Sequence, residues 1–359
     1  MTLRKTMAAL AGMAAVAMIG GPAPVKAETV VIKLTIGSSH PTKVPWVGVM
    51  KSHVQPELNK RLKAMGSKYT IKWTEGYAGA LYNFKDTLEA VEKGLVDIGW
   101  VGTLWEDSKM PLQNVTYHTP FVTDDLPALM KLFNKLSKDN PAMKAAWTKR
   151  NQVLLGASGI ETYHILSKTP IKTLADLKGK KFMAAGAVGS WLKGSGAIPV
   201  NGGLPGFYNA MKTGVADGAI IPFSGAFPFK LYEVAPYITK VSLGAQYTGG
   251  MAINLKTWKK LPPVVQKLLR QLGAEYSLLH SKILIGLATK FEGIMAKKGA
   301  KISTLDPKVR MQWAKKMPHL GQIWVKSVSA KGLPAQQLMS AYMNGVRAFG
   351  GKPLRAWDK

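Results

Sequence analysis

The sequence predicts an α/β protein made of two similarly built lobes with a long helix able to span both. Three observations carry this expectation. Strand and helix patterns alternate from the start of the folded region, a helix-glycine-strand unit recurs 120 residues later, and one helical pattern runs for some 35 residues. A chain of 359 residues exceeds a typical single core, and 47% hydrophobic against 19% charged residues marks a folded protein.

Residues 1–27 read as an export signal. Arg4 and Lys5 precede an apolar stretch from Met7 to Gly21, and Val25-Lys26-Ala27 supplies a small-residue cleavage site, so cleavage is expected after about Ala27. The apolar stretch is too short and too interrupted by Gly20, Gly21, Pro22 and Pro24 for a membrane span. The chain has no cysteine, so an exported protein of this size must be held by its core alone, which favours a bacterial periplasm.

After the signal, "ETVVIKLTIGSSH" has the pattern of a buried strand ending in a turn, and "WVGVMKSHVQPELNKRLKAM" that of a helix with Pro56 as a possible kink. "YTIKWTEGY" resumes as a strand. "FKDTLEAVEKGLVDIGWVG" then reads as helix, capping Gly94 and short buried strand, and "FYNAMKTGVADGAIIPF" repeats it around Gly214. The shared spacing is A-x-x-x-G-x-x-D, at Ala90/Gly94/Asp97 and Ala210/Gly214/Asp217. From Pro262 to about Lys298 a single helix is predicted, followed by amphipathic segments near 307–329 and 334–349.

Ligands of open α/β sheets sit beyond the carboxyl ends of the strands. That rule points to "WVGTLW" and "IIPFSGAF", and so to Trp100, Thr103, Trp105, Phe223 and Phe227 as candidates to line a cleft. Core packing is the competing reading for each aromatic. The histidines at 40, 53, 118, 164, 280 and 319 show no metal-binding spacing, and no nucleophile elbow, P-loop or dinucleotide fingerprint is present. With no catalytic constellation and no cofactor or metal implied, the chain reads as a carrier that closes on a small solute, not an enzyme. The formal charge of +29 would suit an anionic polymer or lipid, but the lysines are scattered in pairs rather than gathered in an arm, and an exported protein seldom meets nucleic acid.

Four blocks, "ALYNFKDTLEAVEKGLVDIG", "KTPIKTLADLKGKKF", "MKTGVADGAIIP" and "MAINLKTWKKLPPVVQKLL", resemble in order and spacing the solute-binding proteins of TRAP transporters, the tripartite ATP-independent periplasmic systems. The resemblance covers nearly the whole mature chain. It implies a two-lobed periplasmic binding protein fold with a long helix crossing both lobes, and delivery of a small-molecule solute to TRAP membrane permease subunits without an ATPase. The lobes are expected at 28–155 plus about 246–285, and at 156–245 plus about 286–359 with the C-terminal helices.

By the same resemblance, the solute-gripping arginine of most members matches Met183, a second arginine matches Tyr163, and a frequent asparagine matches Ile221. Lys178, Lys180 and Lys181 are expected to be solvated around Gly179. A carboxylate desolvated without a partner is costly, so an ordinary C4-dicarboxylate would bind poorly. Tyr163, Met183, Ile221 and Phe223, with Trp100, Trp105 and Trp191, make an aromatic-rich wall suited to a neutral, aromatic or small amine solute, with Glu161, Glu106 or Asp107 as counter-charge in the last case. The alternatives are an organic acid held by other donors, such as Tyr163, Ser190, Asn254 or a lysine, and an exported polycation that binds anionic polymer or lipid.

Overall fold

The computed structural model describes residues 28–359, so the predicted signal segment lies outside the described residues. Eleven strands follow in chain order: β1 (Val30–Gly37), β2 (Tyr69–Gly76), β3 (Ile98–Val101), β4 (Gln152–Ile160), β5 (His164–Ser167), β6 (Lys181–Ala184), β7 (Ile198–Asn201), β8 (Gly218–Ile221), β9 (Tyr237–Lys240), β10 (Gln246–Asn254) and β11 (Lys301–Thr304). They form two sheets, ordered β2-β1-β3-β10-β4 and β11-β9-β5-β8-β6-β7. Among the described residues no helix is long and apolar enough to cross a membrane.

Each sheet has a parallel group and one internal antiparallel strand. In the first sheet β10 runs against β3 and β4, and in the second β5 runs against β8 and β9. Chain crossing explains both. A strand that enters a sheet from the other lobe starts at the facing pole and must run away from it, opposite to strands whose carboxyl ends lie there. Hence His164, at the start of β5, pairs with Ile221 at the end of β8, and Gln246, at the start of β10, pairs with Ile160 at the end of β4. The two crossing segments lie side by side, with Leu243 N–H donating to the Tyr163 carbonyl at 3.0 Å and Gly244 N–H to Thr162 Oγ1 at 2.9 Å.

The predicted long helix is observed at Pro263–Lys297, 35 residues. Its first half packs Val265, Leu268, Leu269, Leu272 and Tyr276 into the first lobe's core, and its second half packs Ala288 and Met295 into the second's. Glycine permits its approach to β4: a Cβ on Gly156 would stand 2.1 Å from the Gly273 carbonyl oxygen. The predicted kink near Pro56 is a π-helical turn at Met50–Val54, since a proline within a helix cannot donate to the carbonyl four residues back. The C-terminal helices, Pro307–Lys316, Leu320–Ser329 and Ala335–Ala348, enclose a core that also holds Tyr117, Phe133, Phe182 and Trp191.

The repeated unit is structurally equivalent in both lobes. Gly94 and Gly214 take left-handed φ values of 76° and 83° after short helices, Thr87–Glu92 and Phe207–Lys212. Each following aspartate bonds the adjacent parallel strand twice. Asp97 N–H donates to the Thr35 carbonyl and its carboxylate accepts Thr35 N–H at 2.8 Å; Asp217 does the same with Lys181, also at 2.8 Å. The lysines beside it are solvated: Lys178 and Lys181 are exposed and Lys180 partly so. Replacing either aspartate by alanine leaves a strand-end N–H without its acceptor, and is expected to lower unfolding free energy by about 1–3 kcal/mol, measured by urea denaturation. Asparagine at the same positions should restore part of the loss.

Candidate functional site

The carboxyl ends of β1, β2 and β3 carry a ring cluster. His40 follows β1, Trp46 begins the next helical segment, Phe84 follows β2, and Trp100 and Trp105 lie within and just after β3. The His40 ring stands 4.9 Å from Trp100, 5.2 Å from Phe84, 5.8 Å from Trp46 and 6.2 Å from Trp105, centroid to centroid. Phe84 and Trp105 are 3.9 Å apart and 44% and 43% exposed, so they form the open side. Trp100 is buried and donates its indole N–H to Ser158 Oγ at 2.8 Å. Burial pushes the His40 pKa down to about 4, so its imidazole is neutral at pH 7. His40 Nδ1 and Trp46 Nε1 are buried without a hydrogen-bond partner.

The facing wall begins where the chain leaves β4. Glu161 is 5% exposed, and its two oxygens accept from Ser224 N–H at 2.8 Å and Ser224 Oγ–H at 3.0 Å. Among the described residues it has no cationic partner, and burial pushes its pKa up to about 7. Tyr163 meets the edge of Trp191 at 5.2 Å, and Tyr117 stacks on Trp191 at 6.1 Å. The Trp191 indole N–H donates to the Tyr117 carbonyl at 2.7 Å, so this ring is fixed within the core. The Tyr117 hydroxyl is buried without a partner in hydrogen-bonding geometry, although burial and the neighbouring Tyr163 raise its pKa. Trp46 and Leu104 pack against both the first lobe's core and the core that contains Tyr163 and Trp191, which brings the two walls together.

The sequence-derived candidates thus form three groups. Trp100 joins Trp105, Tyr163 joins Trp191, and Met183 joins Ile221 and Phe223 in the second lobe's core. Successive β6 residues face opposite ways: Phe182 packs with Ile165 and Ile220, whereas Met183 packs with Leu166, Ala219 and Ile221. Met183 is 4% exposed. Glu161 links the last two groups, through Ser224 beside Phe223 and through its electrostatic coupling to Tyr163. Phe227 instead stacks on Phe291 at 4.5 Å, Glu106 pairs with Lys109 at 3.2 Å, and Asp107 is exposed. Asn254 caps a helix at the far end of β10, and Ser190 Oγ–H donates to the Ala187 carbonyl, so neither is a free anchor.

No arginine replaces the expected clamp at Met183 among the described residues. Arg61 binds Glu275, Arg150 lies by Glu92, Arg270 by the Trp258 ring, Arg310 on the Val241 and Ser242 carbonyls, Arg347 on Asp358, and Arg355 on the Ala314 and Met317 carbonyls. Cavities of about 330 and 400 Å³ lie elsewhere, one beside Phe121 and Arg310 and one beside Leu112 and Leu333, and neither touches these walls.

His40, Trp46 and Phe84 were not singled out from sequence. Their signal was position alone, since each follows a strand's carboxyl end. Gly102 sets the ring geometry: a Cβ there would lie 2.2 Å from the Trp105 ring and 3.0 Å from Trp100. Gly102→Ala is therefore expected to displace Trp105, raising acrylamide quenching of tryptophan fluorescence.

The profile of the "Bacterial extracellular solute-binding protein, family 7" matches residues 53–327, more than half of the chain. The chain is 26% identical over 292 residues to the C4-dicarboxylate-binding periplasmic protein DctP of Rhodobacter capsulatus, covering 77% of this chain and 80% of that one. It is 31% identical over 124 residues to solute-binding protein NAS141_03721 of Sulfitobacter sp. strain NAS-14.1, which covers 34% of this chain and only 37% of that protein. The crystal structure of a TRAP periplasmic solute-binding protein from Desulfovibrio salexigens aligns with a TM-score of 0.76 and 23% identity, over 89% of this chain and 97% of that one. With that match over most of its length, a two-sheet fold and a long helix shared by both lobes, the chain belongs to the family-7 bacterial extracellular solute-binding proteins.

Proposed function

We propose that this TRAP-type receptor captures a small solute with a flat aromatic or similarly apolar body, rather than a C4-dicarboxylate, and delivers it to its membrane permease. The observation that carries the reading is the cluster of Trp46, Phe84, Trp100 and Trp105 around a neutral His40, together with a buried Met183 where the resemblance expects an arginine. Ring faces supply stacking and dispersion, while a dicarboxylate would lose its hydration without gaining a guanidinium. Solute would enter between the walls and be enclosed as the lobes turn about the paired crossing segments.

Solved relatives of this fold hold benzoate, 3-hydroxybenzoate or mandelate, and another holds galacturonate. A second reading, an aromatic acid held by donors other than arginine, is favoured by the unpartnered Trp46 Nε1–H. Stripped protein screened by thermal shift against 2-phenylethanol, benzoate, succinate and malate separates these readings. The aromatic compounds are expected to raise Tm, a ligand at a hundred times its Kd adding about 2.7 kcal/mol, whereas the C4-dicarboxylates leave it unchanged. A shift with succinate or malate alone would overturn the proposal.

Because Met183 is buried among apolar side chains, Met183→Arg is expected to destabilise the fold by roughly 3 kcal/mol or more instead of creating an acid site. Chemical denaturation of the variant checks this.

A further inference from the structure

The second wall holds a feature that an aromatic solute alone does not use. Glu161 is a buried carboxylate between the lobes, and burying an anion costs several kcal/mol unless a cation or enough donors compensate. Ser224 gives each oxygen one hydrogen bond and the Glu161 backbone N–H is the remaining donor in reach, so among the described residues the carboxylate has donors but no cation. The nearby acids are otherwise disposed of, Glu106 by Lys109 and Asp107 by solvent.

We infer that the solute carries a positively charged nitrogen, an ammonium or a comparable cation, which pairs with the Glu161 carboxylate while its apolar body lies on the ring wall. This rests on the ring-wall reading above and adds the charge of the solute to it. Both walls favour the same sign. The exposed rings of Phe84 and Trp105, with partly buried Trp46 behind them, offer negative π density, which attracts a cation, and Glu161 supplies the full counter-charge. A carboxylate solute meets the opposite situation, with an unpaired anion on one side and ring faces on the other.

The groups that could compete for Glu161 are accounted for on each side. On its own connection Tyr163 is the coupled titratable neighbour, and burial holds its phenol protonated. His164 faces Phe223 and accepts from Ser242 N–H, and it stays neutral because burial, with Lys240 and Arg310 nearby, pushes its pKa down to about 3. The Phe223–Ala226 turn offers Ser224 and no charge. Across the cleft, His40 is neutral. Without a cation, Glu161 binds a proton with a pKa of about 7. A bound ammonium favours the carboxylate form, so binding below pH 7 must release that proton, and affinity for the cation must rise with pH.

Three probes share one aryl body and differ only at the end group: 2-phenylethylamine, 2-phenylethanol and phenylacetate. Calorimetric titration of the stripped protein at pH 8 should show the amine binding at least tenfold tighter than the other two. At pH 6 the amine should weaken about tenfold and release a proton, seen as a dependence of the heat on buffer ionisation enthalpy, while 2-phenylethanol shows neither effect. Glu161→Gln, of nearly the same shape, should abolish both the amine preference and its pH dependence; proton release by the unaltered protein tests the same pairing if that variant folds poorly. Equal binding of amine and alcohol, tightest binding of phenylacetate, or an amine preference that survives Glu161→Gln overturns the inference and leaves the ring wall standing. Failure of all three probes to bind overturns the ring-wall reading and this inference with it.

Discussion

The chain crosses between its sheets at residues 161–163 and 241–245, and the hydrogen bonds between these adjacent segments decide which ends of the sheets face each other. The remaining architecture follows from that constraint. Strands entering at the crossing must run away from it, which makes β5 and β10 antiparallel within otherwise largely parallel groups. The carboxyl ends of β1, β3 and β8 are thereby turned toward the same space. The long helix is shared by both cores, its first half packed in one and its second half in the other.

Within that space, charge is handled differently on the two sides. The first lobe offers rings and a neutral imidazole; the second offers a buried carboxylate tied to a serine and two tyrosines near a fixed tryptophan. The described arginines and the lysines around Gly179 are engaged away from both groups of rings. Lys178 and Lys181 remain in solvent, and each described arginine is engaged by a carboxylate, a carbonyl or a ring elsewhere. A strongly basic chain therefore buries a carboxylate without a cation between its sheets, because surface charge is set by solvation and buried charge by which side chains the fold desolvates.

Much of the fold was legible because periodicity reports local structure. The long helix was placed within a residue at each end, and the repeated A-x-x-x-G-x-x-D spacing marked two units whose aspartates make the same pair of strand bonds. The site was less legible. Trp100 and Trp105 were found from the rule about strand ends, but His40, Trp46 and Phe84 complete their cluster from separate turns that no local pattern connects. Counting along a resemblance placed Met183, Ile221 and Tyr163 on one wall; strand alternation and the crossing divide them between two packing environments.

By itself, then, the sequence determined the element types, the recurrence of one unit in both lobes and the absence of an arginine at position 183, since each depends on neighbours within a few residues or on residue identity alone. The tertiary structure alone decided which rings meet, that Trp191 is held inside the core, and that Glu161 is buried without a cation whereas Glu106 pairs with Lys109 and Asp107 stays in solvent. Contacts between residues scores of positions apart are set by how two sheets are crossed and closed. Desolvation, which sets this glutamate apart from an ordinary surface one, exists only once those sheets face each other.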